Sequence, residues 1–389
     1  MLTNCMVCAK NKYMNNYKFW EKYNQICLSK IDNLLRVLEQ EKVNKILVDL
    51  HIHSNHSSDG KQSLDFIIDE CNKKGFKIIA LTDHDDVKVF NELYKKIKKN
   101  QLPEFPIILT GVEQTVSFPA YQTMCHIVKL FINPFDKELK NDLIKLNNSY
   151  FNRAKIQIQR IQESPVLREI FEKYDIKVSY KEFLKYLKSK RIAIPDYAPL
   201  VDYLADKLKE KNVPTKDVYE RVKYYNNLDT CTQRKAMRDA RFEYLDKKYE
   251  NIDVQDNRRF LLSILGVRGV DDAYFKDYPS SGSLSVDEYG QVNIFNMNTN
   301  GVTIFAHPNE TKLQYMDQLK NCKCKFVAFE NNFKSTNVDK TAVSNAAKKL
   351  GLFTTVGSDK HAEVENVYDD LSFYELPTEN IKKLINEVK

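Results

Sequence analysis

The chain has 389 residues, 42% of them hydrophobic, so it can bury one large core or two smaller ones, and its composition excludes a disordered chain. Its 60 basic and 53 acidic residues give a net charge of +7, which permits a phosphate-rich partner without requiring one. It lacks both a run of about 18 apolar residues and a secretory signal, so we expect a cytoplasmic protein with no membrane contact.

The N-terminal segment, residues 1–44, is polar and has a helical pattern. Leu34, Leu35 and Leu38 form a narrow apolar stripe that can pack against the rest of the protein. We therefore predict an N-terminal helical extension, made of one helix or a pair.

A different pattern begins at residue 45, where short apolar runs alternate with amphipathic segments. This alternation predicts a parallel β/α arrangement over residues 45–136. Ser63 is predicted to cap the first helix after the opening strand, and Gly75 to end it. The predicted strands cover residues 45–53, 77–84, 106–113 and 125–132.

Charged and tyrosine-rich amphipathic segments fill residues 137–300, which predicts a mostly helical insertion. Strand-like runs resume in residues 301–389, at 302–307, 326–330 and 353–361. The sequence thus predicts an α/β protein whose barrel is built in two parts, before and after the insertion.

Histidine is the most informative residue type, because six of the seven histidines lie at the ends of these apolar runs. They are His51, His53, His84, His126, His307 and His361. In a β/α barrel the carboxyl ends of the strands converge on one mouth, so residues far apart in sequence meet there. A single histidine at a strand end is more often an ordinary core or surface residue, but six together favour a metal cluster. The seventh, His56, is interpreted as a loop residue or as a residue that supports the ligands without binding metal itself.

The spacing of these residues predicts how they bind metal. His51 and His53 are two apart on a strand, so their side chains face the same way and can chelate one ion, and Asp359 and His361 repeat this spacing. Glu113 can bridge two cations. Mixed imidazole and carboxylate ligands suit zinc, manganese or iron better than calcium. Water on such ions becomes acidic enough to attack a phosphate ester, so no serine or cysteine nucleophile is required.

These motifs resemble the polymerase and histidinol phosphatase (PHP) superfamily of metal-dependent phosphoesterases. The matching segments follow the family order over residues 45 to about 375. They are DLHIHSNHSSDG (49–60), LTDHD (81–85), GVE (111–113) with His126, AHP (306–308) and GSDKH (357–361). The resemblance implies a distorted seven-stranded TIM-like (β/α)7 barrel.

The resemblance also implies three divalent metal ions at nine ligand positions, all filled here by competent side chains. The first ion would be held by His51, His53, Glu113 and Asp359, the second by Glu113, His126 and His307, and the third by Asp59, His84 and His361. A homologue without catalysis would usually show gaps, so the complete set favours an active enzyme. The catalytic residues implied are His51, His53, Glu113, His307, Asp359 and His361.

Between His126 and His307 the chain resembles the nucleotide-phosphatase branch of that superfamily, with an enlarged insertion. Arg153 and Arg160 are the candidate contacts to a substrate phosphate. One departure is the segment IPD at 194–196, where that branch usually has Arg-Pro-His; this puts a small monoester substrate in doubt.

Three functional hypotheses remain open from the sequence. The first is a phosphoesterase acting on a nucleotide, a small phosphomonoester or a nucleic-acid end. The second is a nuclease for DNA or RNA in defence or repair, guided by a basic insertion. Arg234, Arg238 and Arg241 would form a stripe on one helix face, for which a solvated surface paired with nearby acids is favoured over nucleic-acid contact. The third is a non-catalytic interaction module that uses the metals only for folding. A protein partner is not indicated.

Overall fold

The structure is a computed structural model. It describes residues 2–57, 59–118, 123–163, 165–190, 192, 195, 197–228, 243, 292–308, 313–333 and 340–389. The chain divides into two compact units, one formed by Met1–Leu146 with Val292–Lys389 and the other by Asn147–Gln291. The domain boundaries inferred from the sequence, at residues 44, 136 and 300, stay predictions. No helix in the described part of the chain is long and apolar enough to cross a membrane.

The first unit alternates strands and helices in its N-terminal part and again after residue 301. In chain order its elements before the insertion are α1 (Leu2–Gln40), β1 (Lys45–Ile52), α2 (Leu64–Lys74), β2 (Ile78–Leu81), α3 (Val89–Lys98), β3 (Ile107–Phe118) and β4 (Thr123–Leu130). The helices α4 (Lys137–Glu163), α5 (Pro165–Lys173), α6 (Tyr180–Lys190), α7 (Tyr197–Glu210) and α8 (Thr215–Leu228) follow. The last elements are β5 (Val302–Phe305), β6 (Phe326–Asn332), α9 (Lys340–Lys349), β7 (Phe353–Gly357), β8 (Glu375–Pro377) and α10 (Thr378–Asn386).

Local sequence signals explain where these elements begin and end. The Ser63 side chain accepts a hydrogen bond from the Phe66 amide at the start of α2, and Gly75 closes that helix at φ 84°. Both predictions are confirmed. The apolar run of β1 is almost wholly buried, as expected for a strand covered on both faces.

The eight strands form one mixed sheet in the order β7-β6-β5-β4-β3-β2-β1-β8, nearly closed into a barrel. Closure occurs where the end of β1 meets the residues after β7. The Asp359 amide donates to the His51 carbonyl at 2.9 Å, and the His53 amide donates to the Lys360 carbonyl at 3.0 Å. The predicted barrel class is confirmed, and β8 adds an antiparallel strand beside Lys45–Leu47 of β1.

The prediction that all barrel strands are parallel is wrong for β4, which runs antiparallel to both β3 and β5. The reason is the short connection, since only four residues separate Phe118 from Thr123 and a parallel crossover needs about a dozen. Because of this reversal, His126 lies in the N-terminal half of its strand, paired with Thr115 of β3. The reversed direction brings His126 to the same mouth as residues at the carboxyl ends of the parallel strands.

The N-terminal extension is one helix, α1, which packs into the core of the barrel unit. Its buried residues recur every three or four positions, as one helix face requires: Trp20, Tyr23, Cys27, Ile31, Leu35 and Leu38. The Tyr23 hydroxyl donates to the Ile108 carbonyl at 2.9 Å, and the Asn24 amide donates to the Ile132 carbonyl at 2.9 Å. The helix therefore lies along β3 and the segment after β4.

Substitution of Ile31, which is 1% exposed, tests whether α1 is integral to the barrel. We expect Ile31→Ala to lower the free energy of unfolding by about 2 to 5 kcal/mol, because it removes buried methyl groups and leaves a cavity. Trp20 is the only tryptophan, so its fluorescence during denaturation reports on the same helix. Val37→Ala on the exposed face of α1, where Val37 is 48% exposed, is the matched control. Equal stability of the two variants would contradict this packing.

The second unit is helical where it is described and has its own apolar core. The core is formed by residues of α4 to α8 and their connections, including Ile158, Phe183, Leu187, Leu204 and Val218. The Lys173 ammonium lies 2.6 Å from the Asp217 carboxylate and links α5 to α8. The arginine stripe at residues 234, 238 and 241 lies outside the described residues.

Candidate metal centre

The predicted ligands lie at one end of the barrel, on β1, β3 and β4 and in the segments that follow β1, β2, β5 and β7. At the centre is Glu113, in the middle of β3 and fully buried. Among the described residues, ligand atoms that all lie within 4.8 Å of one another form three overlapping groups: His51, His53, Glu113 and Asp359; His84, Glu113 and His126; and His53, Asp59, His84 and His361. His307 adjoins the second of these through Glu113 and His126. Residues separated by up to 310 positions in sequence therefore share one small volume.

The first group joins the end of β1 to the segment after β7. His51 Nε2 and His53 Nε2 lie 3.0 Å apart. Glu113 Oε2 lies 3.0 Å from the first of these nitrogens and 3.1 Å from the second. Asp359 Oδ1 completes the group, 3.1 Å from His53 Nε2 and 3.6 Å from His51 Nε2. The structure therefore brings together the four residues that the resemblance implies for the first ion.

The second group uses the other oxygen of the same carboxylate. Glu113 Oε1 lies 3.1 Å from His126 Nδ1 and 3.0 Å from His307 Nε2. The two ring nitrogens lie 3.2 Å from each other. Both oxygens of Glu113 thus face ring nitrogens, one toward each group, as a bridging ligand requires.

The third group lies nearest to solvent. Asp59 Oδ2 lies 3.6 Å from His84 Nε2 and 3.2 Å from His361 Nε2. His84 Nδ1 also approaches Glu113 Oε2, at 3.2 Å, so the three groups are contiguous. All nine predicted ligands are therefore in one cluster, whereas His56 lies apart and contacts Glu92 at 3.0 Å.

The donor atoms fit divalent cations. Among the described residues, Glu113 Oε2 is buried without a hydrogen-bond partner, although three ring nitrogens face it at 3.0 to 3.2 Å. A buried carboxylate oxygen surrounded by imidazole nitrogens is expensive unless a cation lies between them. Imidazole with carboxylate, and no thiolate, is a donor set for zinc, manganese or iron.

The electrostatics of the first group show that its histidines compensate a buried negative charge. Burial by itself lowers the pKa of His51, but the carboxylates of Glu113 and Glu330 outweigh it and hold that pKa well above its ordinary value. Burial likewise lowers the pKa of His53, but its hydrogen bond to Asp359 and the negative charge of Glu113 outweigh this and raise that pKa to about 9. Protons therefore occupy the positions that cations would take, and binding a metal would release them.

The opposite holds for Glu113 and His84. Burial raises the pKa of Glu113, yet its interactions with the neighbouring imidazoles, of which His51 contributes most, hold that pKa well below its usual range. Burial, only partly offset by Glu113, lowers the pKa of His84 to about 3. The central carboxylate is therefore ionised and His84 is neutral, which are the protonation states that metal ligands need.

Two ligand residues have a backbone conformation that L-amino acids rarely adopt. The φ angle is 28° at His307 and 54° at Asp359. Non-glycine residues at positive φ are uncommon and cluster at functional sites, where neighbouring structure holds them. Each residue lies two positions after a strand end, His307 after β5 and Asp359 after β7. The turn directs the His307 side chain toward Glu113 and the Asp359 side chain toward His53.

Sequence reasoning missed the polar residues that hold the ligands in place. Asp49 Oδ1 accepts from the amides of His51 and Ser358, and its Oδ2 accepts from the Tyr368 hydroxyl at 2.6 Å. The Ser57 hydroxyl lies 3.1 Å from His53 Nδ1 and donates to Asp59 at 3.0 Å. The available signal was that Asp49 and Ser57 fall within the first motif without an assigned role.

A third missed residue is Glu330, which lies at a strand end in the sequence, like the ligands. One of its carboxylate oxygens contacts the His51 ring and the other contacts the His307 backbone. The strand-end pattern included it, but the family motifs did not.

The two arginines predicted to bind a substrate phosphate belong to the second unit. The Arg153 guanidinium is buried and lies 4.9 Å from the centre of the Tyr150 ring. The Arg160 side chain lies outside the described part of the chain. Their role toward a phosphate stays a prediction.

Comparisons with known proteins match part of the chain to a described family. A family model described as PHP domain matches residues 49–228. A Thermotoga maritima protein named histidinol-phosphatase is 29% identical over 125 residues, which make up 30% of this chain and 51% of that protein. The chain thus spans about half the length of this curated relative.

Two solved structures resemble the whole chain loosely. One, from Bifidobacterium adolescentis and described as a metal-dependent phosphoesterase, has a TM-score of 0.48 and 15% identity and covers 87% of this chain and 95% of its own. The other is an amidohydrolase from Chromobacterium violaceum, solved with bound sulfate and no metal. It has a TM-score of 0.42 and 16% identity, covering 86% of this chain and 99% of its own.

The matched residues 49–228 contain six of the nine clustered side chains, from His51 to His126. The other three, His307, Asp359 and His361, come from the last strands and meet the first six around Glu113 and Asp59. Residues 49–228 therefore match the PHP domain family, and the motifs around His307, Asp359 and His361 complete the same cluster of side chains.

Proposed function

We propose that the chain is a phosphoesterase that hydrolyses a phosphate ester with three divalent cations. The observation that carries the proposal is the convergence of six imidazoles and three carboxylates in one contiguous cluster around the buried Glu113. A structural zinc site needs only four ligands around one ion. Nine ligands in contiguous groups favour a catalytic cluster.

The proposed ligand sets follow the contacts. The first cation would be held by His51, His53, Glu113 and Asp359, the second by Glu113, His126 and His307, and the third by Asp59, His84 and His361. Glu113 would bridge the first two sets, because one of its oxygens faces each. Zinc, manganese and iron are the ions whose preferences match these donors.

Such cations, when bound, would supply an activated water and neutralise the charge of a phosphate ester. The protein's own part is to hold its ligands rigidly and leave one side accessible. The side chains of His51, His53 and Glu113 are fully buried, whereas those of His126 and Asp59 are 32% and 51% exposed. The ester would therefore approach from the side of the second and third sets.

The name of the Thermotoga relative, histidinol-phosphatase, supports a phosphate ester as the substrate class. The sequence alternatives within that class are a nucleotide, a small phosphomonoester and a nucleic-acid end. The net charge of +7 is compatible with each of them.

A substrate screen on the purified chain tests the proposal. Metal content is measured first, and turnover is then followed with added manganese on p-nitrophenyl phosphate, its bis-ester, nucleotides and labelled oligonucleotides. We expect metal-dependent hydrolysis of at least one ester. A nuclease would also bind the oligonucleotide with an affinity that falls steeply as salt rises, whereas a small-molecule phosphatase would not. If metal is bound and none of these esters is cleaved, a phosphoesterase role is wrong.

A further inference from the structure

Glu330 is a buried carboxylate next to the metal centre that none of the three ligand sets includes. It is the fifth residue of β6 and only 3% exposed, between the fully buried Phe329 and the half-buried Asn331. Burying a carboxylate is unfavourable unless it is paired or hydrogen-bonded. Its contacts therefore show what the residue does.

Each oxygen of Glu330 contacts a different proposed ligand residue. Oε1 lies 2.7 Å from His51 Nδ1. Oε2 accepts a hydrogen bond from the His307 backbone amide at 2.8 Å. His51 belongs to the first ligand set and His307 to the second, so one side chain holds a member of each.

The contact with His51 fixes which ring nitrogen carries the proton. A carboxylate at Nδ1 favours the tautomer with hydrogen on that nitrogen, which leaves the Nε2 lone pair for a metal. His51 Nε2 is the atom that faces Glu113, His53 and Asp359. The bond to Glu330 also sets the ring's rotation, because the His51 side chain is fully enclosed.

The contact with His307 fixes a strained piece of backbone. His307 has φ at 28°, just after β5, and this conformation needs support from its surroundings. The hydrogen bond from its amide to Glu330 supplies that support. It holds the residue where its Nε2 reaches Glu113 Oε1 at 3.0 Å.

Gly357, the last residue of β7, provides the space for this arrangement. A Cβ atom there would lie 2.1 Å from Glu330 Oε1 and 2.5 Å from His51 Cβ. Its φ is not in the left-handed region, so lack of space, not backbone conformation, excludes a side chain. The glycine of the last motif thus leaves room for the carboxylate and the ring to meet.

We propose that Glu330 is a positioning residue that, through the gap left by Gly357, orients His51 and His307 and so organises the first and second cation sets together. This inference rests on the proposed function, since it assigns a role toward the same cations. Substituting a carboxylate that orients a metal ligand typically lowers metal affinity by about 10- to 100-fold.

The test measures metal binding directly rather than activity. Wild type, Glu330→Gln and Gly357→Ala are stripped of metal, and their affinity for Mn²⁺ and Zn²⁺ is measured by chelator competition; the visible spectrum of the Co²⁺ form reports ligand geometry. Glutamine keeps the shape of Glu330 but has one acceptor oxygen. It can therefore accept from the His307 amide and still contact His51 Nδ1 only by donating its NH2, which forces the His51 hydrogen onto the Nε2 that a cation needs. We expect both variants to bind about 10- to 100-fold more weakly with an altered Co²⁺ spectrum.

The expected loss is confined to the first two sets. One equivalent of metal, held by Asp59, His84 and His361, should keep its wild-type affinity, because none of these residues contacts Glu330. Asp142→Asn is the matched control, because Asp142 is also a buried carboxylate of the barrel unit but bonds Asn298 instead of a proposed ligand. It should lower thermal stability without changing metal affinity.

Two different failures can be told apart. If wild type binds three cations and the two variants bind them equally well with an unchanged Co²⁺ spectrum, the role of Glu330 is wrong and the proposed function stands. If wild type binds no divalent cation, the proposed function fails and this inference fails with it. Gly357→Ala leaves the carboxylate of Glu330 intact. If Glu330→Gln does not fold, the metal affinity of Gly357→Ala still tests the role of Glu330.

Discussion

Glu113→Gln is expected to reduce phosphoester turnover by about a thousandfold or more. The buried carboxylate faces five imidazoles, three at Oε2 and two at Oε1. Glutamine has nearly the same shape but no charge, and its amide nitrogen cannot bind a cation. The bridge between the first two cation sets would be lost, and with it several kcal/mol of stabilisation of a charged transition state. Initial rates on the best ester from the screen measure the effect.

The control for this experiment is again Asp142→Asn, which also removes a buried negative charge from the barrel unit. It should retain turnover within a few-fold, while bound metal falls only in Glu113→Gln. If Glu113→Gln keeps wild-type turnover at saturating metal, Glu113 is not a bridge between cations and the catalytic cluster is wrong as described.

Removal of metal by a chelator is expected to abolish turnover while the chain stays folded. The barrel unit and the helical unit each have extensive apolar cores, so we expect the fold to persist without cations. A ligand at 100 times its dissociation constant stabilises the folded state by about 2.7 kcal/mol. For a chain of this size each cation lost would lower the melting temperature by about 3 °C, so loss of three would lower it by roughly 10 °C. Circular dichroism shows whether the stripped chain stays folded, and calorimetry measures the fall in melting temperature.

The metal-free protein should also lose stability as the pH rises. The pKa of His53 is raised to about 9 in the folded, metal-free chain, against about 6.5 for an unfolded histidine. A raised pKa contributes stability below the unfolded value, and this contribution disappears as the pH passes from about 6.5 to 9. The melting temperature of the stripped protein should therefore fall over this window. The metal-loaded protein should show a smaller fall, because cations replace the protons.

These measurements separate the enzyme from a non-catalytic interaction module. Such a module would use its metals for folding, so chelation would unfold it, and no ester would be cleaved before chelation. Restored turnover after manganese is added back to the folded, stripped protein would exclude that alternative.

Several strands and helix ends of the barrel could be predicted from the local sequence pattern. The apolar run before His51 forms β1, Ser63 and Gly75 bound α2, and Gly351 follows α9 at positive φ. These features depend on hydrogen bonds and packing within a few residues, which is why composition and spacing predict them. The ligand residues were readable for a related reason, since histidines two apart on a strand must face the same way.

Chain reversal at β4 marks the limit of that approach. The apolar runs of β3 and β4 look alike in the sequence, and His126 stands near the start of its run instead of the end. Only the four-residue connection reveals that β4 must return antiparallel, and it is this reversal that brings His126 to Glu113.

By itself, the sequence determined the barrel class, the helix caps and which histidines and carboxylates are candidates for binding metal, because these follow from periodicity and residue chemistry along the chain. The tertiary structure alone decided which side chains support those ligands. Asp49 reaches Tyr368, and Glu330 reaches both His51 and His307 across a gap that Gly357 leaves. Contacts of this kind join strands hundreds of residues apart, and no local pattern encodes them, because a buried carboxylate becomes informative only when its partners are known.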